Sequence, residues 1–111
     1  MQTEVGRIER LWDQLRALGP LLPGSISAQW NVCGTPGCRC KAPRHAQKHG
    51  PYHQLSFTVG GRSSTLFLKP EDLPEARRRL RRYQRFKALT KELLHAYVAL
   101  ARTQGLAGYP R

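Results

Sequence analysis

One short stretch, CGTPGCRCKAPRHAQKHGPYH, holds all three cysteines of the chain and three of its four histidines. It runs from Cys33 to His53, and it is rich in glycine, proline and basic residues. A short loop of this composition buries little apolar surface, so it needs a crosslink to hold one conformation. Three explanations fit the stretch: a metal site, a thiol active site, or cysteines that pack without a ligand.

The spacing Cys-x4-Cys-x-Cys favours a tetrahedral zinc site, because zinc prefers thiolate and imidazole donors. Glycine and proline after Cys33 allow a tight turn, in which backbone N–H groups can donate to the sulfurs. The fourth ligand must be a histidine, and His45, His49 and His53 are all within reach. His49 is favoured because HGPY gives it a turn of its own beside a strand. The predicted zinc ligands are Cys33, Cys38, Cys40 and His49.

The thiol explanation uses the same residues differently. Neighbouring cations such as Arg39, Lys41 and Arg44 would lower the pKa of a thiol, and His49 could act as a base. No third residue is placed close in sequence to orient that base. The sequence therefore predicts a protein that is not an enzyme, with a thiol- or zinc-dependent enzyme as a further hypothesis.

The motifs of this stretch resemble the signature of a small uncharacterised prokaryotic domain family. That signature is C-G-x-P-G-C-x-C followed by H-G-P-Y, then strands and a charged helix, and the resemblance covers about residues 22–90. The resemblance implies no activity, but it implies a genomic setting near mobile elements. It also implies that the ligands are Cys33, Cys38, Cys40 and His49, since His45 and His53 do not match family positions.

The balance of charge points to a polyanionic partner. The 111 residues include 19 lysines and arginines against 7 acidic residues, a net charge of +12. Nucleic acid is the commonest polyanion, although an anionic membrane surface or an acidic protein would satisfy the same charge. No apolar leader and no apolar run long enough to span a membrane is visible. We therefore expect a cytoplasmic protein without a membrane partner.

Hydrophobic periodicity predicts an α+β fold in a single domain, residues 1–111. An N-terminal helix and a long C-terminal helix pack on a β-hairpin that carries the zinc-binding loop. Gly60-Gly61 forms the hairpin turn, and a third short strand near Gln29–Val32 is considered as an addition to this two-stranded sheet. Trp30 and the aromatic residues Tyr52, Phe57, Phe67, Tyr83 and Phe86 are expected in the core. The predicted segments are a helix at 3–18, a loop at 19–51, a hairpin at 52–69 and a basic helix at 72–103.

The long helix has recognisable ends. Asp72, Pro74 and Glu75 form a capping-box pattern at its start, and Gly105 is expected to end it. An apolar face at residues 93–100 predicts either packing on the first helix or a homodimer.

The helix also carries a run of cations, which we call the arginine segment, residues 77–87. Arginine forks bind phosphate oxygens, so this segment and the basic residues of the loop predict nucleic-acid binding, with duplex DNA slightly favoured over RNA. The alternative is an adaptor or inhibitor that binds an acidic surface of a nucleic-acid enzyme. The predicted contacts are Arg77, Arg78, Arg79, Arg81, Arg82, Arg85 and Lys87, together with Arg39, Lys41 and Arg44.

Overall fold

The computed structural model describes residues 3–107, which form two helices and one antiparallel sheet. The chain divides into two compact units, Met1–Leu22 with Arg81–Arg111, and Pro23–Leu80. The ends of the predicted single domain, residues 1–2 and 108–111, lie outside the described residues, and the single domain stays a prediction. The elements are α1 (Glu4–Arg16), β1 (Ser25–Asn31), β2 (His49–Val59), β3 (Arg62–Leu68) and α2 (Leu73–Gln104).

The first unit is built on the packing of α1 against the C-terminal part of α2. Thr3 caps α1, since its side chain accepts a hydrogen bond from the Gly6 N–H at 3.1 Å. Across the helices, the indole N–H of Trp12 donates to the hydroxyl of Tyr97 at 3.0 Å. The apolar core of this unit consists of Ile8, Leu11, Leu89, Leu93, Ala96 and Leu100.

This core accounts for the apolar face predicted at residues 93–100. Leu93 and Leu100 are buried in the cluster that includes α1, which is the first of the two alternatives. Leu94 and Val98 stay exposed on the same helix, at 66% and 50% of their surfaces. A homodimer through this part of α2 stays a prediction.

The second unit contains the sheet, in the order β1-β2-β3 with antiparallel neighbours. Gly60 and Gly61 make the predicted turn between β2 and β3, and both have the positive φ that tight hairpin turns require. Leu55 lies on the central strand opposite Ile26 and Leu66, and it is fully buried. The α+β class is confirmed.

The prediction of a loop throughout residues 19–51 is wrong at two places. Ser25–Asn31 forms the edge strand β1, which starts earlier than the third strand considered at Gln29–Val32, and β2 begins at His49. In β1 the apolar residues Ile26, Ala28 and Trp30 alternate with polar ones, and this alternation indicates a strand. Trp30 was expected in the core, but 54% of its surface is exposed.

Gly50, in the HGPY motif, lets β1 and β2 approach closely. Its φ is +140°, and a Cβ at this position would stand 2.7 Å from the carbonyl oxygen of Gln29 and 3.2 Å from the Trp30 ring. Any side chain would push the strands apart at the residue that follows His49. The motif therefore fixes the position at which His49 enters the sheet.

Helix α2 begins after a 3₁₀ turn at Pro70–Asp72, so it starts one residue later than predicted. Both carboxylate oxygens of Glu75, which the sequence assigned to a capping box, accept hydrogen bonds from arginines one turn along. The helix ends as expected at Gly105, which has φ +71° and donates its N–H to the Ala101 carbonyl at 3.0 Å. Within residues 3–107, no helix has both the length and the apolar character needed to cross a membrane.

Candidate metal centre

The three cysteines and His49 come from different local structures that meet beside the sheet. Cys33 follows β1, and Cys38 precedes a single 3₁₀ turn, Arg39–Lys41, in which Cys40 lies. The turn is closed by backbone hydrogen bonds, such as the one from the Lys41 N–H to the Cys38 carbonyl at 2.9 Å. His49 is the first residue of β2. The fold thus brings together side chains up to 16 positions apart.

The four donor atoms lie close enough together to bind one metal ion. All of them lie within 4.8 Å of one another. The Sγ atoms of Cys33 and Cys40 are 3.5 Å apart, and Sγ of Cys38 lies 3.3 Å from Nε2 of His49. With zinc bond lengths, neighbouring donors in a tetrahedron stand roughly 3.5–3.8 Å apart. These four residues can hold a metal ion, as the sequence predicted.

The backbone around the cluster stabilises negative charge on two of the sulfurs. The pKa of Cys33 is lowered from 9.0 to about 6, chiefly because the Thr35 N–H donates to its sulfur, with further hydrogen bonds from the other thiols. The pKa of Cys38 is also lowered, chiefly by the N–H of Cys40. Thiolates are the form in which cysteine binds metals.

The other two donors have environments of a different kind. Burial raises the pKa of Cys40, whose side chain lies on the inner side of the cluster with 2% of its surface exposed. Its sulfur accepts the N–H of Cys33 at 3.4 Å. Hydrogen bonding to Cys38 raises the pKa of His49. A buried cysteine with a raised pKa beside two cysteines with lowered pKa values suits a metal site, because a bound cation would compensate the burial of negative charge on Cys40.

The same pKa values bear on the thiol explanation. A nucleophilic cysteine needs a lowered pKa and a nearby base, and Cys38 with His49 supplies both. A catalytic pair of this kind does not require a further thiol. The sulfur of Cys40 nevertheless lies within 4.8 Å of the other three donor atoms. The set of four donors therefore fits a metal site better than a two-residue catalytic pair.

A cavity of about 450 Å³ lies against the cluster. Cys33, Cys38 and His49 contribute to its wall, whereas Cys40 does not. Three of the four donors thus face an open side, and the remaining wall is formed by Asn31, Thr35 and Tyr52. Sequence reasoning assigned none of these three residues to the site, although it anticipated that backbone N–H groups of the turn would bond the sulfurs.

The two remaining histidines of the stretch lie outside the cluster. His45 is exposed and adopts a positive φ of 54°. His53 is half-buried on β2, and its Nδ1 atom is buried without a hydrogen-bond partner among the described residues. The choice of His49 among the three histidines is therefore the one that the geometry supports.

The basic residues Arg39, Lys41 and Arg44 are all exposed on the loop that joins β1 to β2.

The arginine segment lies on α2, and its members differ in what they contact. Arg77, Arg78, Arg81, Arg85 and Lys87 are exposed, whereas Arg79 and Arg82 are half-buried. Glu75 pairs with two of them, at 2.9 Å from Nε of Arg78 and 2.8 Å from Nε of Arg79. These two arginines hold the pKa of Glu75 at about 2, with Arg79 contributing most.

Further along α2, the cations contact neutral groups of the first unit. Arg82 donates to the Pro20 carbonyl at 3.3 Å, and Arg85 donates to the side-chain oxygen of Gln14 at 3.0 Å. Lys87 lies over the ring of Tyr83, 5.1 Å from its centroid. The predicted nucleic-acid contacts therefore include side chains that also bond residues 14 and 20 of the first unit.

Residues 1–78 match the family described as a domain of unknown function, DUF6788, and the chain belongs to this family. The matched residues include all four candidate ligands, the sheet and the beginning of α2. Most of the arginine segment lies beyond the matched region. No curated protein and no solved structure matches this chain.

Proposed function

We propose that this protein is a zinc-stabilised nucleic-acid-binding protein that grips phosphates with its arginine segment. The observation that carries the proposal is the exposure of five cations along eleven residues of one helix, Arg77, Arg78, Arg81, Arg85 and Lys87. Guanidinium groups match the geometry of phosphate oxygens and donate two hydrogen bonds at once. Like charges one turn apart repel each other, so this run weakens α2 unless an anion neutralises it.

The contacts that the arginine segment makes within the chain leave its cations able to bind a phosphate. Glu75 neutralises part of the charge of Arg78 and Arg79, but its own side chain is 38% exposed, so solvent and a phosphate can compete for these arginines. Arg85 donates to the neutral side-chain oxygen of Gln14, a contact that leaves its positive charge available to a polyanion. Duplex DNA is the proposed ligand of this segment, as the sequence favoured.

Zinc is the proposed metal, because a set of three cysteines and one histidine is typical of structural zinc sites. Bound zinc would supply a fixed crosslink for residues 33–49 and no reaction step. With the loop fixed in this way, Arg39, Lys41 and Arg44 keep one arrangement. Their positive charges then add to the attraction between the protein and a nucleic acid. The proposal is thus an accessory or regulatory protein without catalytic activity, acting in the cytoplasm and linked to a mobile element.

Two paired variants test the phosphate grip. Arg77→Ala/Arg81→Ala removes two exposed charges from the arginine segment, and Lys91→Ala/Arg102→Ala removes two exposed charges from elsewhere on α2. We expect the first variant to weaken binding of a labelled mixed-sequence duplex at least tenfold more than the second, measured by fluorescence anisotropy at low salt. Equal weakening by the two variants would mean that net charge alone attracts the duplex. It would contradict the proposal that the arginine segment binds the phosphates.

A second candidate function has an observation of its own. Leu94 and Val98 are exposed on α2 beside Lys91, His95 and Arg102, around a cavity of about 510 Å³. An apolar surface rimmed by cations suits an acidic amphipathic partner, which agrees with an adaptor or inhibitor of a nucleic-acid enzyme. Leu94→Asp would abolish that interaction while leaving duplex binding by the arginine segment unchanged.

A further inference from the structure

Two aromatic side chains on the sheet are exposed, although the sequence placed both in the core. Phe67 on β3 has 75% of its surface exposed, and Tyr52 on β2 has 46%. A phenylalanine exposed to this extent is uncommon, because aromatic rings contribute a large part of the apolar surface that folding buries. The positions of the two rings indicate what they could contact.

Both residues lie on the same face of the sheet. Phe67 pairs with Gln54, and Tyr52 lies two residues before Gln54 on β2, so the two aromatic residues are diagonal neighbours. Diagonal neighbours of this kind have their Cβ atoms roughly 7–8 Å apart. This spacing leaves room for a flat ring against each side chain or between the two. A cavity of about 440 Å³ lies here, and Tyr52, Phe67 and Lys69 contribute to its wall.

The rest of this face offers polar groups instead of apolar ones. Thr58, Ser63 and Thr65 are exposed on it, and the hydroxyls of Thr58 and Ser63 lie 2.7 Å apart. Gln54 lies between the aromatic positions and presents an amide that can both donate and accept hydrogen bonds. A membrane or an apolar protein surface would leave these groups without partners. The face combines flat rings with hydrogen-bonding groups, which is the composition that nucleobases require.

The charge of this unit decides the class of ligand. Residues 23–80 contain nine lysines and arginines against three acidic residues. Lys69 shares the cavity with the two rings, and Tyr52 also lines the cavity beside the metal ligands. This excess of positive charge disfavours a second copy of the chain on the same face and favours a polyanion.

We propose that this sheet face binds single-stranded nucleic acid, with unpaired bases stacked on Phe67 and Tyr52 and a phosphate near Lys69. Stacking on aromatic side chains needs a base whose face is free, which a duplex does not offer. The proposal rests on the proposed function only in the class of ligand, since its residues are different from the arginine segment. It adds a second specificity to the chain: unpaired bases on the sheet and phosphates on α2.

The test compares two probes with the full, metal-loaded chain. Labelled oligothymidylate and a mixed-sequence duplex are titrated by fluorescence anisotropy at the same low salt concentration. We expect Phe67→Ala to weaken oligothymidylate binding about 5- to 150-fold, the range for loss of one stacked base, and to leave duplex binding unchanged. Phe67→Trp should restore it, because tryptophan keeps a stacking surface. Leu66→Ala, on the opposite face of β3, is the control and should change neither affinity.

The outcomes separate this proposal from the proposed function. If the wild-type chain binds the duplex but not oligothymidylate, or if Phe67→Ala changes neither affinity, the sheet proposal is overturned while phosphate binding by α2 stands. If the chain binds neither probe, both are overturned. Tyr52→Ala should behave like Phe67→Ala, but Tyr52 also borders the metal ligands. Phe67, which is not part of that cavity, is therefore the deciding position.

Discussion

Cys38 and His49 are eleven positions apart in sequence, and Sγ of the cysteine lies 3.3 Å from Nε2 of the histidine. One of the two precedes a 3₁₀ turn and the other begins the central strand of the sheet. A metal held by both would therefore couple the conformation of the loop to the pairing of β1 with β2. Loss of the metal should loosen the sheet edge as well as the loop, because metal-binding energy is also folding energy at such sites.

The metal centre is tested by two histidine variants. His49→Ala should lower bound zinc well below one equivalent per chain and reduce the melting temperature, because it removes one of four donors. His45→Ala should do neither, since His45 is exposed and outside the cluster. Elemental analysis of the purified variants, together with thermal unfolding followed by circular dichroism, measures both effects. Full zinc occupancy in His49→Ala would contradict the ligand set.

The close approach of β1 and β2 predicts a large effect at Gly50. A Cβ there would stand 2.7 Å from the Gln29 carbonyl oxygen, and the φ of +140° disfavours any side chain. We expect Gly50→Ala to destabilise the protein by about 1–3 kcal/mol, the usual cost of a strained backbone conformation. Gly34→Ala should be nearly neutral, because a Cβ at Gly34 would meet no atom within 4 Å. Urea denaturation of the two variants gives the comparison, and equal stabilities would show that the strands can separate at Gly50 without cost.

The packing of the first unit predicts opposite outcomes for two leucines of α2. Leu89 has 1% of its surface exposed and belongs to the core shared with α1, whereas Leu94 has 66% exposed. Leu89→Ala should therefore lower the free energy of unfolding by about 2–5 kcal/mol, and Leu94→Ala by less than about 0.5 kcal/mol. Chemical denaturation at two protein concentrations is the measurement. A concentration-dependent loss of stability in Leu94→Ala would instead indicate that the exposed face is a dimer interface.

The ion pairs of Glu75 predict how stability depends on pH. The pKa of Glu75 in the folded protein is about 2, below its ordinary value of 4.5, so the pairs with Arg79 and Arg78 stabilise the fold above pH 4.5. This contribution is lost as the pH falls from 4.5 towards 2, because the carboxylate becomes protonated. The stability difference between the wild type and Glu75→Gln should be constant near neutral pH and should shrink below pH 4.5.

The control for this prediction is Glu71→Gln, which changes the charge equally at an exposed position just before α2. Acid loss of a bound metal would affect the wild type and both variants alike, so it cancels in the comparison. Urea unfolding across the acidic range measures the three proteins. A Glu75→Gln difference that grows as the pH falls would have the wrong sign for a lowered pKa.

The features that depend on nearby residues could be predicted from the sequence. The convergence of the three cysteines follows from their spacing, because a turn brings together side chains as close in sequence as Cys33, Cys38 and Cys40. The approach of His49 depends instead on the pairing of β1 with β2. The turn at Gly60-Gly61 and the end of α2 at Gly105 follow from the conformational freedom of glycine. These features are set within a few residues, which is the range over which sequence patterns are informative.

The features that were missed depend on distant parts of the chain. The alternation in β1 indicated a strand, but its partner β2 lies 18 to 31 residues further on, and nothing near Ser25–Asn31 identifies that partner. Arg82 bonds a carbonyl 62 positions away, which no local pattern contains. Phe67 was expected in the core because apolar residues usually are, but burial depends on whether another layer covers that face of the sheet. The exposure of Phe67 is therefore shown by the structure and not by the sequence.

The salt dependence of duplex binding tests the central claim most directly, because counterion release counts phosphates that the protein neutralises. Five exposed cations in the arginine segment predict a slope of about −4 to −5 when the logarithm of the binding constant is plotted against the logarithm of salt concentration. The experiment is a fluorescence anisotropy titration of the metal-loaded wild type with a mixed-sequence duplex. A linear plot with that slope agrees with phosphates gripped along α2. Absence of binding at the lowest salt concentration, or a slope near zero, would contradict the account.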